Sequence, residues 1–295
     1  MISVITVSYN TKEFLRSCLR NVIASERAAF EVIVVDNASK DGSVAMVKRE
    51  FPEVICIENT ENLGFGMACN QGMARAKGEY FFLLNSDTLI EKQTLAKLSV
   101  YMNEHMDVGV LGCQVRGANG EVQASAGFYP TIFRVFLWMS FLDDVGLGTI
   151  FKPYHVLDRR FFLKDQEVDW VQGSCMVITR PVYEKIGGFD EEIFMYGEDV
   201  EYGARAKKNS YRVQYIAGIT ITHFGQGSSE GKSRNALLGE FKGLKIMYRR
   251  HHTQLSQVLL SVMLQCGAFL RMLFFGILGG NKEARDTYAK AIRLA

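Results

Sequence analysis

Tyr80-Phe81-Phe82-Leu83-Leu84 is the stretch that most limits how this chain can fold. Five apolar residues run unbroken and stop at Asn85-Ser86-Asp87. A run with no polar face reads as a strand buried on both sides, as in a parallel sheet covered by helices. Residues 2–7, 30–35 and 54–57 read as strands of the same kind. Helical periodicity separates them. Phe14, Leu15, Cys18, Leu19 and Val22 share one face, 41–50 form a second helix with Val44 and Val47 inward, and 67–76 form a third. The order β-α-β-α-β-α-β predicts a doubly wound α/β sheet with right-handed crossovers.

Polar residues stand where each strand ends: Ser8 and Asn10, then Asp36, then Asn62, then Asp87. In open α/β sheets ligands bind at that edge, so four such loops describe a nucleotide pocket. Asp36 suits a ribose hydroxyl or a base edge, and Asp87 suits a hard metal and, through it, a phosphate. Two plainer readings compete. Asn85-Ser86-Asp87 can cap a helix beginning at 88. Gly64-Phe65-Gly66 lacks the third glycine of a dinucleotide fingerprint and reads as a turn.

The second half changes character. A helix over 91–103 and a strand over 108–115 lead to an Asn119-Gly120 hairpin turn into 121–126. Residues 128–160 are irregular and rich in Phe, Leu and Trp, which reads as a long flap. A strand over 175–179, a helix opened by Pro181, a helix from Glu198-Asp199 through Lys208, and strands over 211–216 and 219–222 follow, with His223 after the last. At 295 residues the chain can build one large α/β domain with an appendage. Its formal net charge of +2 marks no nucleic-acid partner. Six cysteines with neither a CxxC pair nor zinc spacing fit buried thiols in a reducing cytosol. No basic start with an apolar core precedes the first strand, so a cytoplasmic protein is expected.

Beyond residue 230 the chain turns apolar. Tyr248-Arg249-Arg250-His251-His252 precedes 253–270, which carry no formal charge, and Arg271 interrupts before the apolar run continues. Gln257, Ser261 and Gln265 recur every four residues as a narrow polar stripe. A helix lying in a membrane interface with the basic cluster beside it fits this pattern. Packing on the catalytic domain, or on a second subunit as a homodimer, also fits.

Ser8-Tyr9-Asn10, Val34-Val35-Asp36-Asn37-Ala38-Ser39, Asn62-Leu63-Gly64-Phe65-Gly66-Met67-Ala68-Cys69-Asn70, Asn85-Ser86-Asp87, Gly187-Gly188-Phe189-Asp190, Gly197-Glu198-Asp199-Val200-Glu201 and His223 stand in the order expected of glycosyltransferase family 2. The chain resembles that family over about residues 1–225, and most resembles its bacterial rhamnosyltransferase branch. The resemblance implies a GT-A fold, a Rossmann-like mixed sheet flanked by helices. It implies a catalytic domain over 1–230, with a nucleotide-sugar half at 1–90 and an acceptor half at 91–230, and a helical extension at 231–295. It further implies an inverting transfer from a nucleotide-sugar donor with divalent Mg2+ or Mn2+. By the same resemblance Ser8, Tyr9, Asn10, Asp36, Asn62, Asn70, Asn85, Ser86 and Asp87 line the donor site, and Asp87 and His223 hold the metal. Asp199 is the base, and Trp170 and Glu198 meet the acceptor. Asn85 stands where a full DxD motif has its first Asp, which leaves a weaker metal site. The branch suggests dTDP-L-rhamnose as donor and a saccharide or polyprenyl-linked glycan as acceptor, at the inner face of the cell membrane in surface polysaccharide synthesis. A UDP-sugar donor, a nucleotidyltransferase on a similar sheet, and a non-catalytic glycan-binding relative are the other readings. A nucleotidyltransferase needs a glycine-rich basic loop after the first strand, which Ser8-Tyr9-Asn10-Thr11-Lys12 does not provide.

Overall fold

The computed structural model describes residues 1–143, 151–225 and 232–295. The first four strands, β1 (Ile2–Ser8), β2 (Phe30–Asp36), β3 (Ile55–Glu58) and β4 (Tyr80–Leu84), are joined by helices α1 (Lys12–Ile23), α2 (Ser43–Glu50) and α3 (Phe65–Arg75). They pair in parallel in the order β3-β2-β1-β4, the doubly wound half read from the apolar runs. Tyr80, Phe82 and Leu84 join one apolar layer, with Leu15 and Leu19 of α1 and Met46 and Val47 of α2. Phe81 and Leu83 join the opposite layer, with Ala68, Cys69 and Met73 of α3. Both faces of β4 are therefore apolar because helices cover both. On α2, Met46 rather than Val44 takes the inward place beside Val47.

The chain continues through β5 (Thr88–Ile90), α4 (Thr94–Glu104), β6 (Val108–Arg116), β7 (Ala126–Gly127), α5 (Ile132–Met139), β8 (Gln166–Glu167), β9 (Trp170–Val171), β10 (Cys175–Thr179), α6 (Arg180–Ile186), α7 (Glu198–Lys208) and β11 (Arg212–His223). The main sheet runs β3-β2-β1-β4-β10-β6-β11-β5, with β8 also on β11, while β7 and β9 pair separately. β10 is antiparallel to β4 and β6, and β5 is antiparallel to β11, so the sheet is mixed.

Three expectations change here. Asn85-Ser86-Asp87 caps no helix: Thr88 begins β5, which pairs with the end of β11. The two strands expected over 211–222 are one strand, bulged between Ile216 and Thr220 where Ala217 donates its N–H to Asp165 instead of the ladder. The expected flap contains α5, capped by Thr131 and burying Val135, Leu137 and Met139. An almost wholly apolar helix has no polar face to reveal its period. The rest of that flap at 144–150, and the expected boundary at 230/231, lie outside the described residues.

The C-terminal part is α8 (Lys232–His251), α9 (Gln254–Arg271), a π-helical segment (Met272–Leu278) and α10 (Lys282–Leu294). Phe241, Leu244, Met247, Leu260, Leu264, Ala268 and Ala291 build a third apolar cluster with Val135, Met139, Tyr154, Trp170 and Val200, which precede this part in the chain. The basic cluster is engaged with side chains of the first 201 residues. Arg249 pairs with Glu192, Arg250 Nε lies 3.1 Å from Asp190, His251 lies 2.8 Å from the buried Glu201, and His252 lies 2.6 Å from the Tyr129 hydroxyl. Arg271, which interrupts the apolar run, is buried and donates to the Trp138 and Met139 carbonyls at the end of α5. A cation there suits the negative end of that helix.

Candidate active site

The carboxyl ends of β1 and β4 open into a cleft of about 1230 Å3, lined also by the turn before β10, the loop before α7, the end of β11 and one side of α8. Tyr9, Asn62, Asn85, Ser86, Asp87, Trp170, Glu198, Asp199 and His223 all line it. Four other residues singled out from the sequence stand behind or beside this lining. Ser8 is buried against Thr11, whose hydroxyl donates to Ser86 Oγ at 2.9 Å and so ties β1 to the turn after β4. Asn10, in the left-handed region at φ 54°, accepts from Lys40 N–H and donates its own N–H to Ser39 Oγ. Asp36 accepts from Ser39 N–H with one oxygen, and its other oxygen is buried without a hydrogen-bond partner. Asn70 does not line the cleft. Its amide donates to Phe189 O at 2.9 Å and accepts from Phe189 N–H at 2.7 Å, fastening α3 to the loop after α6.

Within the cleft Asp87 Oδ1 lies 3.3 Å from His223 Nε2, and both side chains are nearly buried. The β5–β11 pairing sets Thr88 opposite His223 and brings the two together. Gln123 orients the ring. Its Nε2 donates to the His223 carbonyl, which turns its Oε1 toward His223 Nδ1 at 3.3 Å. With Nδ1 donating to Gln123, the Nε2 lone pair faces the Asp87 carboxylate, and two acceptors this close need a proton or a cation between them. Among the described residues no three of His, Cys, Asp and Glu converge on one point. A carboxylate and an imidazole nevertheless fit a divalent ion whose remaining positions go to phosphate oxygens and water, the usual arrangement in nucleotide sites.

Another part of the same cleft is built where α7 begins at Glu198. Asp199 Oδ2 accepts from Gly173 N–H at 3.2 Å and Oδ1 from Val200 N–H at 2.9 Å. Burial pushes its carboxyl up from the ordinary range, these N–H donors pull it back, and the nearby Glu240 charge pushes it up again. Glu198 is more deeply buried, at 5% exposure, and its Oε2 has no hydrogen-bond partner. Burial first, then the Asp199 charge, pushes the Glu198 carboxyl up. Glu198 is therefore the member of the pair that keeps a proton longer.

Other lining residues carried no usable signal in the sequence. Asn37 Nδ2 donates to the Gly64 carbonyl at 2.9 Å, and its Oδ1 accepts from the Asn59 amide at 2.9 Å. His155 sits in the irregular stretch after α5, and Glu240 on α8 is one acid in a basic helix. Only the folded chain sets them together at the cleft.

The sequence profile described as "Glycosyl transferase family 2" matches residues 3–187. An N-acetylglucosaminyl-diphospho-decaprenol L-rhamnosyltransferase of Mycobacterium tuberculosis is 25% identical over 268 residues, 86% of this chain and 85% of its own length. The poly(ribitol-phosphate) beta-N-acetylglucosaminyltransferase TarS of Staphylococcus aureus is 28% identical over 265 residues, 84% of this chain but 44% of its own length. Among solved structures, the mannosyltransferase PcManGT of Pyrobaculum calidifontis, in complex with GDP-Man and Mn2+, superposes with a TM-score of 0.60 at 19% identity, covering 98% of this chain and 73% of that one. TarS 1–349 in complex with UDP-GlcNAc gives a TM-score of 0.55 at 16% identity, covering 99% and 90%. A profile match over more than half the chain, on a mixed sheet shared with these enzymes, makes this chain a member of glycosyl transferase family 2, a glycosyltransferase of GT-A fold.

Proposed function

We propose that the chain is an inverting transferase that moves L-rhamnose from dTDP-L-rhamnose to a saccharide carried on a polyprenyl diphosphate. The observation that carries this reading is that Asp199 and the Asp87–His223 pair line one and the same cleft. Inversion needs one displacement. The acceptor hydroxyl gives its proton to Asp199, its oxygen bonds to the anomeric carbon, and the bond from that carbon to the diphosphate breaks and releases the nucleoside diphosphate. Asp87 and His223 would hold a divalent ion, which when bound supplies positive charge against the leaving diphosphate. Asn85 in place of an acid leaves the ion more dependent on the diphosphate itself. Ser8, Asn10 and Asp36 act one layer back, holding the loops against which the nucleoside rests beside Tyr9.

The rhamnose and lipid-carried acceptor are supported by the mycobacterial relative. A second reading, UDP-GlcNAc as donor, is supported by TarS. Nucleoside diphosphate release from dTDP-L-rhamnose and from UDP-sugars, with N-acetylglucosaminyl diphosphate on a polyprenol as acceptor, separates them. Release from no donor, or full activity in Asp199→Asn, sinks both.

A polyprenyl acceptor calls for a membrane, and the extension supports one. Thirteen of the twenty exposed large apolar side chains among the described residues lie on α5, at Phe151, on α9 or on the π-helical segment. Gln254–Leu278 is long and apolar enough to cross a bilayer, with a mean hydropathy of 1.9. However, Leu260, Leu264, Gly267 and Ala268 are buried in the protein. The helix therefore lies along the cytoplasmic face with its outer side in the interface. Residues 232–295 carry eleven Lys and Arg against three Asp and Glu, whereas 1–231 carry 23 against 29, so the extension is the part drawn to anionic lipid.

A further inference from the structure

One corner of the cleft beside Asp199 has a chemistry that the transfer reaction leaves unused. His155 Nε2 lies 2.6 Å from Glu240 Oε1, and with side chains 30% and 17% exposed both reach the cleft. Three aromatic rings surround the imidazole. Their centroids lie 4.0 Å away for Tyr154, 5.2 Å for Trp138 and 5.9 Å for Trp170.

Glu240 arrives here on α8, and α8 comes this close because Gly239 and Gly243 have no side chains. A Cβ at 239 would lie 2.7 Å from the Met195 carbonyl oxygen, and one at 243 would overlap the Tyr196 carbonyl. The helix backbone thus rests on Tyr196-Gly197, the two residues before Glu198-Asp199. A carboxylate held this near Asp199 works against that residue's own ionisation.

A sugar ring presents hydroxyls around its rim and C–H groups on its faces. A hydrogen-bonding charged couple set among flat apolar walls complements both at once. We propose that His155 and Glu240 form a saccharide subsite for the acceptor, binding ring hydroxyls while Trp170, which also lines the cleft, offers apolar surface to the sugar's C–H groups and Tyr154 and Trp138 hold the imidazole from behind. This rests on the reading of Asp199 as the base, since a sugar bound at this corner brings a hydroxyl beside it. It also makes α8 part of the active site, so that the catalytic half alone has an incomplete acceptor site.

The chain's two tryptophans, Trp138 and Trp170, both have their rings within 6 Å of His155, so intrinsic fluorescence reports on this corner directly. The test titrates the full chain with the methyl glycosides of N-acetylglucosamine, L-rhamnose, D-glucose and D-galactose. At least one glycoside should change the emission saturably, and Glu240→Gln and His155→Gln should each weaken it about tenfold or more, the size of a lost charge-assisted hydrogen bond. Thermal melts check that each variant is folded, and His155→Gln decides if Glu240→Gln is not. A panel that leaves the emission unchanged, or folded variants that bind like the parent chain, overturns the subsite. Nucleoside diphosphate release is read separately, so failure of the subsite and failure of the proposed transfer are distinguishable.

Discussion

His223 Nε2 stands 3.3 Å from Asp87 Oδ1, although one ends β11, the last strand along the chain, and the other follows β4. Gln123 holds the imidazole in place, with its Nε2 on the His223 carbonyl and its Oε1 facing Nδ1, so that His223 Nε2 is the atom turned toward Asp87. If this pair holds the divalent ion, Gln123→Leu should weaken the apparent metal affinity about 10- to 100-fold, as loss of a ligand's supporting partner does. Titrating turnover with Mn2+ checks it. Turnover at saturating Mn2+ should recover in Gln123→Leu and should not recover in Asp87→Asn.

Asp199 predicts a pH profile. A base must be deprotonated to work, and burial raises this carboxyl above the ordinary aspartate range, near 3.9. The acid limb of kcat/KM should therefore fall at a higher pH than an unperturbed aspartate allows. Glu240→Gln removes a negative charge that raises Asp199, so its acid limb should move to lower pH. Asp199→Asn should lower kcat about 10²- to 10⁴-fold with little change in donor KM. An acid limb that stays in place in Glu240→Gln would show that the two carboxylates do not interact.

The nucleotide half was legible because its signals are local. Each of β1, β2 and β4 is a short apolar run ending in a polar turn, and α1 shows its period in Leu15, Cys18, Leu19 and Val22. Helix α7 was bounded correctly by Gly197 and Lys208. The α5 helix was not legible, because its apolar residues show no contrast. The ion pairs of the Arg249 to His252 cluster left no signal in the sequence because its partners, Glu192, Asp190, Glu201 and Tyr129, lie far away along the chain. The corner built by His155 and Glu240 was invisible for the same reason, since neither residue belongs to any local pattern.

Glu198 predicts a stability effect with a definite sign. Its carboxyl is raised in the folded chain, first by burial and then by Asp199. The native state therefore holds this proton to higher pH than the unfolded state, and the group costs stability as pH rises from the unfolded value, near 4.3, through the raised one. Glu198→Gln removes that charge without changing shape. It should raise Tm at pH 8 and above by about 2–4 °C, the shift that 1 kcal/mol produces in a domain of roughly this size. At pH 4 the two proteins should melt alike. A Tm gain that is the same at both values would show that the buried charge is not its cause.

Asn70 separates support from binding. Both ends of its amide are taken by the Phe189 backbone, so Asn70→Ala leaves a buried N–H and a buried C=O without partners. Stability should fall by about 1–3 kcal/mol, read as a lower urea midpoint with unchanged m. Donor KM should stay within about twofold at a temperature where the variant is folded, because the side chain does not reach the cleft. A large rise in donor KM without loss of stability would return Asn70 to the donor site.

The outer side of α9 predicts how the chain meets lipid. Leu255, Val258, Leu259 and Val262 are 42–69% exposed on one side of the helix, and Phe274, Phe275, Ile277 and Leu278 extend the surface. Burying such side chains in a membrane interface contributes on the order of 25 cal/mol per Å2, so replacing two of them with acids should abolish measurable binding. Flotation with vesicles containing anionic phospholipid should carry the parent chain upward, and neutral vesicles or high salt should carry less, because the excess of Lys and Arg adds about 1 kcal/mol per charge near the surface. Leu255→Asp with Val262→Asp should stay at the bottom of the gradient while melting normally, since neither side chain is in the core. If the parent chain does not float and sediments as a dimer that the double variant dissociates, the surface is a contact between two copies and the membrane reading fails.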